Sequence, residues 1–122
     1  MAISSTNTAT IQATANGMTI TAPVSVNITT TANALLDETQ SVGTVAEAIT
    51  FGDMSGAPRK LQIKNLDGTN YVEIDSADTF DKFPQKITAG DFIVLAPQTA
   101  TIYGKANTDA VLIRKTAFES SA

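Results

Sequence analysis

Apolar residues recur at every second position in short runs along this chain, the pattern of strands that bury one face. The two sharpest runs flank a loop near the middle. Leu61 and Ile63 alternate with Gln62 and Lys64, and Val72 and Ile74 with Glu73 and Asp75. Between them, Asn65-Leu66-Asp67-Gly68-Thr69-Asn70 carries an Asp-Gly step that accepts positive φ. The pattern predicts a β-hairpin over Leu61 to Asp75 as the centre of the fold. Asn65, Asp67 and Asn70 read as side chains that bond their own turn, with Gly68 and Gly90 as turn glycines. Tyr71 reads as a core ring with its hydroxyl at the rim or as an interface anchor.

The N-terminal third continues the alternation. Ile11 and Ala13 lead to a turn at Asn16-Gly17, and Met18, Ile20 and Ala22 follow. Pro23 lacks an amide donor and reads as a break before Val24, Val26 and Ile28, which predicts three short strands. From Ala34 to Gly52 the period is ambiguous. Thr44 and Glu47 fit a capping box, but Gly43 and Gly52 leave only eight residues between them, so a strand at about Glu47 to Phe51 is favoured over a helix.

Downstream, Asp75 to Lys82 reads as a polar surface loop with Phe80 and Phe83 as apolar anchors. Phe83 to Ile87 reads as a short edge strand, and Ala89-Gly90-Asp91 as a turn. Phe92 to Leu95 is a continuous apolar run, the mark of a strand buried on both faces. Thr99 to Tyr103 and Ala110 to Ile113 complete the strands, and Arg114 to Ala122 reads as a strand end and tail. Closely spaced strands without a long helix predict an all-β chain: an antiparallel β-sandwich, jelly-roll-like, with an immunoglobulin-like sandwich as the alternative. The Cys pair and Trp of antibody domains are absent.

Composition narrows the function. At 122 residues and 43% hydrophobic content the chain suits one structural domain. A net charge of -4 argues against nucleic acid as a partner, because phosphate binding draws on clustered Lys and Arg. No apolar run approaches a membrane span, and Met1 to Thr6 lack a signal peptide's basic and apolar segments, so a cytosolic origin is expected. With no Cys, stability must come from packing or assembly. Charge is also uneven, since the first charged residue is Asp37. Residues 1–36, rich in Thr and Ala, read either as a flexible arm or as strands facing another subunit, with 37–122 as the sandwich core.

Candidate chemistry is sparse. The chain has no His, which removes the commonest general base and metal ligand and rules out a Ser-His-Asp or Cys-His arrangement. No nucleophile elbow or phosphate loop occurs, and the chain reads as a non-enzyme without a cofactor. Asp75, Asp78 and Asp81, joined by Asp67, could offer oxygens to a calcium ion. Their spacing is not that of an EF-hand, and a solvated acidic loop is the simpler reading. Lys64 and Lys86 could pair with Glu73 across strands.

One resemblance adds to this. Lys64-Asn65-Leu66-Asp67-Gly68-Thr69-Asn70-Tyr71-Val72, then Ala89-Gly90-Asp91, then Tyr103-Gly104-Lys105-Ala106-Asn107-Thr108 resemble, in order, three motifs of small structural proteins of tailed bacteriophages. Asp91 stands where Glu is usual, and Gly104 is an apparent insertion or substitution. The likeness spans about Leu61 to Ile113 and consists of turn and packing residues. It implies a virion structural protein: a capsid decoration or cement protein that binds the major capsid protein and assembles as a homo-oligomer, trimer or dimer. A tail or neck component is the alternative within the virion, and a glycan- or receptor-binding sandwich the alternative outside it.

Overall fold

The computed structural model describes residues 3–30, 34–52, 54 and 56–119. Ten strands account for its regular structure: β1 (Ile3–Ala15), β2 (Met18–Thr30), β3 (Leu35–Val42), β4 (Glu47–Ile49), β5 (Pro58–Asn65), β6 (Val72–Asp75), β7 (Gln85–Ile87), β8 (Phe92–Leu95), β9 (Ile102–Ala106) and β10 (Val111–Glu119). All pairings are antiparallel, and no helix forms among the described residues. The eight strands from β3 onward make two four-stranded sheets, in the orders β3-β10-β5-β8 and β4-β9-β6-β7. Their inner faces enclose one apolar core, with Val42, Leu61, Ile63, Val72, Ile87 and Ile113 fully buried. This is an antiparallel β-sandwich.

The strands flanking Asn65 to Asn70 form as the alternation predicts, but they do not form a hairpin. β5 pairs with β10 and β8, whereas β6 pairs with β7 and β9 in the other sheet. Alternation marks which residues face the core and carries no information on partners. The loop itself is the bridge between sheets. Asn65 is fully buried: its Nδ2 donates to Asn70 O at 2.9 Å and Ile87 O at 3.0 Å, and its Oδ1 accepts from Asp67 N at 2.8 Å. Asp67 Oδ2 in turn accepts from the amides of Thr69 and Asn70, and those bonds hold its carboxyl below the usual range. Asn65 and Asp67 therefore bond their own turn as expected, and Asn65 also ties β5 to β7, while Asn70 Oδ1 accepts from Thr108 Oγ1 at 2.7 Å, outside the turn.

Three other expectations change. β8 lies at a sheet edge with Phe92 and Val94 exposed, so its apolar run is not buried on both faces. Phe83 is exposed and anchors nothing, while the half-buried Phe80 ring carries Lys105 Nζ at 4.6 Å. β10 runs on to Glu119, because Arg114 to Phe118 lie between β3 and β5 and complete both ladders. Residues 120–122 of the expected tail lie outside the described residues.

Gly104 of β9 faces the core where three side chains converge. A Cβ there would lie 3.2 Å from Ile49 Cδ1, 3.3 Å from Val42 Cγ1 and 3.4 Å from Ile74 Cδ1. A side chain at Gly104 would enter only if these neighbours gave way by a few tenths of an ångström.

Candidate functional site: a projecting ribbon

β1 and β2 form a separate two-stranded sheet. The register runs unbroken from Ile3 opposite Thr30 to Ala15 opposite Met18, thirteen pairs in all, or about 44 Å of ribbon at ~3.4 Å per residue. Asn16 and Gly17 turn the tip with φ of 51° and 77°, the geometry of a tight two-residue hairpin turn. Pro23 lies within β2 opposite Thr10 and does not break it. A two-stranded ribbon is edge on both sides, where a missing amide donor is tolerated. The expected three short strands are therefore two long ones.

The base of the ribbon is fastened to the sandwich by a small cluster of Ile3, Ile28 and Phe118. Beyond it, every residue from Thr8 to Asn27 is exposed. Because the pairing is in register, the two faces differ sharply. One carries Thr8, Thr10, Gln12 and Thr14 opposite Ser25, Pro23, Thr21 and Thr19, and the hydroxyls of Thr14 and Thr19 share a 2.8 Å hydrogen bond. The other carries Ala9, Ile11, Ala13 and Ala15 opposite Val24, Ala22, Ile20 and Met18.

On that apolar face Ile11 is 69% exposed, Met18 70% and Val24 65%, with Ile20 and Val26 also exposed. Full burial of one such side chain is worth about 1.5–3 kcal/mol. A lone two-stranded hairpin is marginal in water, and this one leaves five large apolar side chains exposed. Near the base of the ribbon a groove of about 680 Å³ is lined by residues of both ribbon faces, Thr8 and Val26 among them, and by Lys60, Gln62 and Val94 of the β3-β10-β5-β8 sheet.

No protein-family description, curated protein or solved structure matches this chain.

The other candidate residues have structural partners. Asp75 is buried at the end of β6, where its carboxylate accepts from the amides of Ser76 (2.7 Å), Lys82 (3.0 Å) and Phe83 (3.1 Å). Burial alone would push its pKa up; the amide bonds outweigh that and hold it below the ordinary value. It pins the following loop, and is not the solvated acid the sequence implies. Asp81 accepts from Thr79 Oγ1 at 2.6 Å, and Asp78 is exposed. Among the described residues no cluster of three or more acidic groups converges as a metal site would require.

Tyr71 is half-buried under Lys86, whose Nζ stands 4.3 Å from the ring centroid. Lys86 faces Glu73 in the ladder, but its ammonium is placed over that ring; Lys64 lies in the other sheet. Gly90 takes φ of 77° in its turn, where a side chain would be strained, whereas neither Asp67 nor Gly68 adopts the positive φ that their step could accept.

Sequence reasoning missed Lys115. Its side chain is 1% exposed, and its Nζ donates to Gln40 Oε1, Thr50 O and Thr50 Oγ1 and pairs with Glu38 at 3.1 Å. The Val111, Ile113, Lys115, Ala117 phase placed it inward, but a lone Lys in an apolar stripe carries no sign of its acceptors. These contacts clamp β10 to β3 and to the segment after β4.

Proposed function

We propose that this chain is a virion structural protein, a capsid decoration or cement protein that binds the assembled shell and reinforces contacts between major capsid subunits. The observation that carries the reading is the uncharged ribbon, exposed at every residue from Thr8 to Asn27. The resemblance of Lys64 to Thr108 to structural proteins of tailed bacteriophages supports it. So does the strand order. With the ribbon set aside, eight strands are dealt between two sheets as β3-β10-β5-β8 and β4-β9-β6-β7, which we read as a jelly roll, an architecture used by viral capsid domains and also by lectins.

In this reading the hydroxyl face of the ribbon meets the major capsid protein. Thr, Ser, Asn and Gln desolvate more cheaply than charged residues and still offer directional hydrogen bonds. Each bound copy then stabilises the assembled shell over the loose one by its own binding free energy. Catalysis has no part in this mechanism.

Immunogold labelling of intact virions with antibody against the chain tests the assignment. Label spread evenly over the head is the expected result. Label confined to one vertex or to the tail would replace the decoration role with a neck or tail role, and absence of label would overturn the virion reading.

A further inference from the structure

We infer that the apolar face of the ribbon is a self-association surface, occupied by the same face of a second copy of this chain. The inference stands on the ribbon alone and does not depend on the virion reading. The first argument is the arrangement of large and small side chains. Ile11 lies opposite Ala22, and Ala13 opposite Ile20, so the middle of the face is a two-by-two check of Ile and Ala. A two-fold axis through that check, parallel to the stacked faces, sets each Ile over an Ala of the partner whether the axis runs along the ribbon or across it. Ridges then meet hollows as the two ribbons stack at about 10 Å, and one patch serves both copies.

The second argument is electrostatic. No charged residue precedes Asp37, so the face gives a charged partner nothing to recognise, while two copies meet without repulsion. The third is size. The five large side chains and the alanines between them present on the order of 500 Å² per copy, so a pair removes on the order of 1,000 Å² from water, the lower bound of a specific interface. The pair is therefore reversible and depends on concentration. Pairing leaves the hydroxyl faces outward on both sides.

Sedimentation velocity of the full chain from low to high micromolar concentration tests this. The expected result is a monomer–dimer equilibrium. Ile11→Asp and Ile20→Asp should each raise the dissociation constant by about tenfold or more, whereas Thr10→Asp and Thr21→Asp, on the opposite face, should change it by less than about threefold. A chain that stays monomeric at the highest concentration, a trimer mass, or equal effects from the two faces would overturn the inference. The dilution series on the unaltered chain decides the matter if an Asp variant melts the ribbon. Dimers without label on virions would leave the pairing intact and sink the virion reading; monomers that label heads would do the reverse.

Discussion

The side-chain amide of Asn65, at the end of β5, donates to the carbonyl of Ile87, in β7 of the opposing sheet, across a fully buried 3.0 Å hydrogen bond. With its bonds to Asn70 O and Asp67 N, one side chain fastens a crossover loop to both sheets. Asn65→Ala removes two donors and one acceptor without replacing them, and leaves the Ile87 carbonyl dry. The expected loss is about 2–3 kcal/mol, from the cost of an unsatisfied buried polar group. Asn65→Asp should destabilise as well, since a carboxylate cannot donate to either carbonyl. Urea denaturation read by circular dichroism checks both.

Gly104→Ala should destabilise the sandwich by about 1–3 kcal/mol, the range for overpacking a filled core. The added methyl meets Ile49, Val42 and Ile74 at once. Pairing it with Ile49→Val should recover part of the loss by removing the Ile49 Cδ1 that lies 3.2 Å from the new carbon. The midpoint of chemical denaturation in the single and double variants measures this coupling.

Acid should destabilise the chain through three carboxylates. The folded-state pKa values of Asp75, Asp67 and Asp37 lie below the ordinary 3.8, the last mainly through its hydrogen bond with Arg114. Below 3.8 the unfolded chain binds more protons than the folded one, so stability falls as pH drops through the folded-state values and is fully present above about pH 5. Melting temperature should be level from pH 5 to 7 and decline below pH 4. Asp75→Asn should melt lower at neutral pH and show a shallower acid decline.

Much of this fold was legible because inward positions follow a period of two: Leu61, Ile63, Val72 and Ile74 face the core as their alternation requires. Pairing was not legible. The same alternation serves a hairpin and a crossover, and the choice rests on Asn65 reaching Ile87, twenty-two residues away. In the ribbon the decisive sign was present. Met18, Ile20, Ala22, Val24, Val26 and Ile28 stay in phase across Pro23, which a broken strand has no reason to preserve. Proline's missing amide outweighed that phase in the sequence reading because nothing local shows that the strand has only one neighbour. Asp75 was misread for a related reason, since its three amide donors come from residues up to eight positions downstream.

Shell binding by a chain with a shortened ribbon tests the central claim most directly. Deleting residues 8–13 together with 20–25 removes six matched pairs, keeps the phase of both faces and leaves the Asn16-Gly17 tip. Co-sedimentation with shells that lack this protein should recover the full-length chain and lose the shortened one, while the two sandwiches melt at the same temperature. A shortened chain that still sediments with the shells would place the docking surface on the sandwich and contradict the account.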